Sequence, residues 1–177
     1  MSDKLKLLTP YEGPALCTPH RVAMPAMTRN RAGESRAPNE MMATYYAQRA
    51  SAGLLVSEAT DISPRAVGYP GTPGWYTEEQ KAGWKMVVER VKASQPKPAP
   101  FFNQLFHTGR VSHTSLQPKG DPPLAPSAVP ADLDLYTSDG MQPASTPLAL
   151  TQDGIAGVIA EYVAAGRAAL EAGFDGV

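Results

Sequence analysis

Three short polar runs each follow an apolar stretch: Thr28-Arg29, Ser57-Glu58-Ala-Thr60 and Gln104-Leu-Phe-His107. Hydroxyls, a carboxamide and backbone amides set beside Met27 and Phe106 suit an amphipathic planar ligand better than a highly charged one. Polar residues at strand ends also face solvent in any fold, so the pattern alone leaves both readings open. Glu58, after an apolar run, could act as a base or be a carboxylate satisfied by Arg29 or Arg31. His107 and His113 are six residues apart with no third ligand at suitable spacing, so polar loop structure is expected and no metal. No Gly-x-Ser-x-Gly elbow offers a serine nucleophile. Gly68, Gly71 and Gly74 alternate with Pro70 and Pro73 but lack the lysine of a phosphate loop, and read as turn residues. The Met41-Met42 and Tyr45-Tyr46 pairs read as helix packing.

The elements that would position these groups follow from periodicity. Residues 21–27 form a short apolar run that fits a buried strand, limited near its end by Pro25. Residues 28–38 are a loop with three arginines. Residues 39–52 carry helical spacing (Met42, Tyr45, Tyr46, Arg49), with Gly53 where a helix stop is expected. Residues 54–56 read as a second strand ending at Ser57-Glu58, and 59–76 as a glycine- and proline-rich loop. Thr77-Glu-Glu-Gln80 has capping-box spacing and opens a helix with Trp84, Val87, Val88 and Val91 on one face. Residues 101–105 are a third strand. Thr151 caps a last helix with an apolar stripe of Ile155, Val158, Ile159, Tyr162, Val163 and Leu170. Gly173 ends it, and residues 174–177 begin a fourth strand.

Strand–helix repetition predicts an α/β fold with a parallel sheet. Short buried strands with one-helix crossovers suit a barrel, and a full barrel takes about 250 residues and eight strands. Four strands in 177 residues amount to half of one, so the pattern predicts part of a (β/α) barrel with a site at the strand C-termini. The exception to the repeat is residues 106–150, which lack periodicity. Ten of the 18 prolines fall between Pro96 and Pro147. A loop that long, leaving a strand's C-terminal end, is expected to be functional.

Composition removes other classes. The chain holds 16 Lys and Arg against 17 Asp and Glu with no basic run, so no nucleic acid is expected as partner. A single cysteine, Cys17, excludes internal disulfides and multi-cysteine metal sites. The apolar part of the first ten residues is too short for a signal peptide, and Glu161 and Arg167 interrupt the most apolar window. A cytoplasmic protein without membrane contact is expected.

Several motifs together carry a resemblance. Met24-Pro-Ala-Met-Thr-Arg29, Tyr46-Ala-Gln-Arg-Ala-Ser-Ala-Gly53 with Ser57-Glu-Ala-Thr60, Gly68-Tyr-Pro-Gly-Thr-Pro-Gly74, and Gln104-Leu-Phe-His-Thr-Gly-Arg-Val-Ser-His113 occur in order. With Ala125-Pro-Ser-Ala128 and Thr146-Pro-Leu-Ala-Leu150, they resemble the Old Yellow Enzyme family over nearly the whole chain. That family comprises FMN-dependent NAD(P)H ene-reductases, which reduce the C=C bond of activated alkenes such as enones.

The resemblance implies FMN as cofactor, NAD(P)H as hydride donor and a small activated alkene as substrate. It places Ala26, Met27 and Thr28 against the flavin ring, with the Thr28 hydroxyl near O4. Ala59 becomes the small residue that admits the ring, and Gln104 the partner of its pyrimidine edge. Thr28, Tyr69 and Phe106 line the substrate pocket. Phe106 stands where the family often has Trp, and Ala26 where Pro is common. The family's catalytic His/Asn pair and tyrosine proton donor would follow Val177, so no catalytic residue is assigned. The resemblance implies the N-terminal half of a TIM (β/α)8 barrel, with residues 1–177 as one portion of a single FMN-binding domain cut at its fourth strand. The expectation is a half needing a C-terminal half-barrel or a partner chain. The alternatives are a non-catalytic assembly module and an inactive truncation product.

Overall fold

The computed structural model describes residues 5–177; residues 1–4, part of the lead read above, lie outside them. An antiparallel pair, β1 (Tyr11–Glu12) with β2 (Cys17–Thr18), precedes the repeating part. There follow β3 (Ala23–Met24), α1 (Glu40–Ala47), β4 (Leu54–Asp61), α2 (Glu78–Ser94) and β5 (Phe101–Phe106). β3, β4 and β5 lie side by side as a parallel sheet. The long connection holds β6 (Leu124–Ala125), the hairpin strands β7 (Asp134–Thr137) and β8 (Gly140–Pro143), and β9 (Leu148–Ala149), which pairs with β6. α3 (Gln152–Glu171) completes the order. No helix among the described residues is long and apolar enough to cross a membrane.

Several elements differ from their expected extent. β3 keeps two residues of the expected seven, because the ladder stops at Pro25, which has no N–H to give. The helix expected over 39–52 has regular form over Glu40–Ala47 and then loosens into turns. Gly53 is not a helix stop. A Cβ there would come within 2.1 Å of the His20 carbonyl oxygen, so it is the close approach of two chain segments that requires glycine. Residues 174–177 supply one rung only, Phe102 opposite Gly176, with Asp175 N donating to Phe101 O and Asn103 N to Gly176 O. The 106–150 stretch is not featureless. Its strands are two to four residues long, too short to show a period, yet Leu135 and Thr137 are buried in β7 while Asp134 and Tyr136 are exposed.

β4 shows the largest departure, running four residues past Ser57 to Asp61. Val56 pairs with Phe102 and Ala59 with Gln104, so Ser57 and Glu58 together oppose the single residue Asn103. That is a β-bulge, and it reverses the alternation of the strand. Phe102 and Gln104 are two apart and share a face, so Val56 and Ala59 share it too, although three apart. The bulge sends Ser57 and Glu58 into the helix layer, where both are buried, and turns Ala59 toward the concave side.

The helices pack as their sequences dictate. Thr77 Oγ1 accepts from Gln80 N at 3.2 Å and Gln80 Oε1 accepts from Thr77 N at 3.1 Å, completing the expected capping box. The α2 face of Trp84, Val87, Val88 and Val91 is fully buried. It meets an aromatic group in which Phe101 and Phe174 lie 4.6 Å apart, Trp84 and Phe174 5.4 Å, and Tyr46 and Phe101 5.5 Å between centroids. Gly173, with φ +99°, makes the left-handed turn that ends α3 and brings Phe174 into this group.

α3 itself is seated the unexpected way round. At about 100° per residue, Ala165, Ala168, Ala169 and Ala172 form one face and Ile155, Ile159, Tyr162, Val163 and Leu170 the next. The alanines are buried, whereas Ile159 is 58% and Leu170 56% exposed. The stripe of large residues read from sequence therefore lies largely outside the core, with only Val158 partly packed against it.

Candidate functional site

The C-terminal ends of β3, β4 and β5 converge on one rim, and the bulge in β4 decides which side chains share it. Ala59 N donates to Thr28 Oγ1 at 3.4 Å, and Ala59 is the direct partner of Gln104. Thr28 is exposed and its hydroxyl proton engages no acceptor among the described residues. Gln104 is exposed, and its carboxamide makes no hydrogen bond among the described residues. Ala59 is buried beneath them. A small floor flanked by a hydroxyl donor and a two-way amide results.

The other sequence-derived residues sit at different distances from this floor. Phe106 ends β5 on the same face as Gln104, opposite Asp61, and is half-buried. Tyr69 lies half-buried on the 62–76 connection. Ala26 reaches the rim by chain connection alone. Met27 is exposed and lines a groove of about 490 Å³ with Ala23, Met24, Gln48 and Arg49.

Glu58 does not face the rim. It is fully buried toward α1, where Tyr46 Oη donates to Glu58 Oε1 at 3.1 Å and accepts from Glu58 N at 2.7 Å. Arg29 N donates to Glu58 Oε2 at 3.3 Å. Burial pushes its carboxyl above the usual range, opposed by these hydrogen bonds. Of the two readings open from sequence, the geometry supports the satisfied carboxylate, with backbone and phenol taking the part expected of guanidinium groups. Met41 is exposed while Met42 and Tyr46 are buried, so only one member of that methionine pair packs as expected. A cavity of about 160 Å³ beside Glu58 is walled by Arg29, Arg31, Met41, Met42 and Tyr45.

Two buried polar groups escaped sequence reading because no spacing marks them. Asn103, opposite the bulge, donates to Ser57 Oγ at 2.8 Å and Thr60 Oγ1 at 3.0 Å and accepts from Trp75 Nε1 at 2.9 Å. It locks the bulge to the wall of the sheet. Asp61, at the end of β4, is completely buried and accepts from Thr72 Oγ1 at 2.5 Å. Burial pushes its carboxyl up to about 7, against the pull of Thr72 and of Arg36.

The sign of the resulting pH effect is fixed. The Asp61 pKa in the folded state exceeds that of the unfolded chain, so the folded state binds more protons between about pH 4 and 7. Its contribution to stability is present below pH 4 and falls as pH rises through 7. Arg36, Thr72 and Tyr76 are the groups that face it. We expect Asp61→Asn to flatten this slope by a few kcal/mol, read as urea midpoints at pH 5 and 7.5. Parallel wild-type and variant slopes would refute it.

The histidines are built into loops. His107 Nδ1 accepts from Gly109 N at 3.0 Å, and His113 Nδ1 from Ser115 N at 3.1 Å. Among the described residues no group of three or more His, Cys, Asp or Glu is placed to hold a metal ion.

Parallel βα units with a ligand-sized rim at the strand C-termini define a barrel-type enzyme scaffold, present here as half a barrel. Comparison with known proteins makes this specific. The chain belongs to the NADH:flavin oxidoreductase / NADH oxidase family, which it matches over residues 7–177. It is 44% identical to 12-oxophytodienoate reductase 1 of Oryza sativa subsp. japonica, over 98% of this chain and 44% of that protein. A solved morphinone reductase in complex with tetrahydroNAD superposes with TM-score 0.88 at 46% identity, covering 97% of this chain and 48% of the other. The old yellow enzyme homologue from Zymomonas mobilis gives TM-score 0.90 at 39% identity, over 98% and 47%. The chain therefore spans about half the length of the relatives it matches.

Proposed function

We propose that residues 1–177 are the N-terminal half of a single FMN-binding barrel domain that uses NAD(P)H to reduce the C=C bond of activated alkenes. The observation that carries this reading is the bulge that sets Ala59 between Thr28 and Gln104. A Cβ-sized floor admits a flat ring, the free Thr28 hydroxyl donates to its electron-rich edge, and the Gln104 amide offers one donor and one acceptor to its pyrimidine edge. FMN, when bound, supplies hydride exchange between the nicotinamide and the alkene. Tyr69 and Phe106 wall the side from which the alkene enters, and Phe106 shapes which alkenes fit.

The exposed aliphatic face of α3 supports a requirement for a second half-barrel, as a continuation of the polypeptide or a partner chain. A row of large apolar residues on one helix marks a surface that is covered when the protein is complete.

Flavin titration of the assembled protein tests the site. Gln104→Leu is expected to weaken FMN binding about tenfold, the worth of one or two buried hydrogen bonds. Thr28→Ala should leave binding nearly unchanged but lower the flavin reduction potential, because the donor stabilises the electron-rich reduced ring. An unchanged potential in Thr28→Ala together with unchanged affinity in Gln104→Leu would refute the assignment.

A further inference from the structure

Arg36 adopts φ +55°, a left-handed conformation uncommon for a residue with a side chain. Such strain persists only where surrounding contacts enforce it. Its guanidinium Nη1 donates to Tyr69 O at 3.1 Å, Thr72 O at 3.3 Å and Thr72 Oγ1 at 2.9 Å, and lies 3.5 Å from Asp61 Oδ2. Its own carbonyl accepts from Gly74 N at 3.0 Å. Ala32 N donates to Gly71 O, Asp61 N to Pro73 O and Trp75 N to Asp61 O. Two otherwise irregular segments, 29–37 and 62–76, are thereby fastened to each other and to the end of β4. Thr72 is the hub, completely buried, its single hydroxyl proton shared between Asp61 Oδ2 and, at 3.2 Å, Tyr69 O.

We propose that Arg36, Thr72 and Asp61 form a latch that fixes the backbone of Tyr69 and so sets the substrate wall, making Arg36 and Thr72 positioning residues. The second half of this statement rests on the placement of Tyr69 in the substrate pocket proposed above. The latch consists of charge-assisted bonds to carbonyl oxygens, so it holds the chain trace of the loop and leaves the Tyr69 ring free to meet ligand. All three oxygens meet the one nitrogen Nη1, whose direction the planar guanidinium fixes, whereas a lysine at position 36 carries three donors on a flexible stem that leaves their direction free.

Amide hydrogen exchange on the protein tests the latch directly. Thr72→Val keeps the buried shape and removes the hydroxyl. It should speed exchange at Ala32, Gly74 and Trp75 at least tenfold while Leu55 and Asn103, in the sheet, stay within twofold. Thr72→Ser should return the wild-type rates, and Arg36→Lys should fall between. Unchanged exchange at Ala32 and Gly74 in Thr72→Val, or equal acceleration at Asn103, would overturn the latch. In the assembled, flavin-loaded enzyme, Thr72→Val should raise KM for the alkene about fivefold with kcat within twofold. Accelerated exchange with unchanged KM would leave the latch standing and remove Tyr69 from the substrate wall.

Discussion

Replacing Tyr46 by Phe is expected to cost about 3 kcal/mol of stability, although it deletes one oxygen atom. That oxygen donates to Glu58 Oε1 and accepts from Glu58 N, and all three atoms are buried between α1 and β4. Its loss leaves a buried carboxylate oxygen and a buried amide without partners, each costing about 1–3 kcal/mol. The ring itself stays, edge-on to Tyr45 and tilted against Trp84 and Phe101, so no cavity confuses the result. Tyr45→Phe is the control, because the Tyr45 hydroxyl makes no hydrogen bond among the described residues, and it should stay within about 0.5 kcal/mol of wild type. Urea unfolding followed by circular dichroism reads both. A Tyr46→Phe midpoint matching that of Tyr45→Phe would show that Glu58 finds other partners. The interaction should also appear as coupling in a double-mutant cycle with Glu58→Gln.

The second large effect concerns assembly. The 177 residues should bind FMN weakly and reduce enones negligibly by themselves, with affinity rising about a hundredfold or more when a C-terminal half-barrel is supplied. The rim described here holds three strand ends, whereas barrels of this class hold the cofactor phosphate with loops near the last strands. The ring contacts proposed for Thr28 and Gln104 would not replace that anchor. Co-expression with the matching half of the rice reductase, followed by flavin absorbance and NAD(P)H consumption, measures the gain. Stoichiometric flavin retention and turnover by the 177 residues alone would overturn it. So would a second half that docks and restores nothing.

The legible parts of this protein were those with local signals. Thr77 and Gln80 announce α2 because a capping box uses two residues at fixed spacing, and Trp84 to Val91 announce its buried face because one helix turn repeats. The motifs around Thr28, Ala59 and Gln104 identify the family through their likeness to known sequences, while the flavin contacts assigned to those residues are a proposal. The far half of β4 was not legible, because a bulge at Ser57 and Glu58 erases the two-residue period by which a strand is seen. The seating of α3 was missed for a different reason. Periodicity shows that a helix has an apolar stripe but not which of two adjoining stripes is already covered, and here alanines took the inner place. Arg36 gave no signal at all. An arginine in a Gly- and Pro-rich loop reads as solvated, and its partners, Tyr69, Thr72 and Asp61, are drawn to it only by the folded path of two loops.

The bulge in β4 also governs which genetic changes this protein can survive. Deleting the codon of either Ser57 or Glu58 would leave Val56 and Ala59 two residues apart, with Ala59 still opposite Gln104 and every later side chain of the strand on its present side. The loss would fall on the helix layer instead. Without Glu58 the Tyr46 hydroxyl has no carboxylate to meet, and without Ser57 the Asn103 amide loses an acceptor. For the floor the extra residue is spare; for the layer behind it the same residue is indispensable. An in-frame loss here should therefore register as instability, with the geometry of the rim preserved.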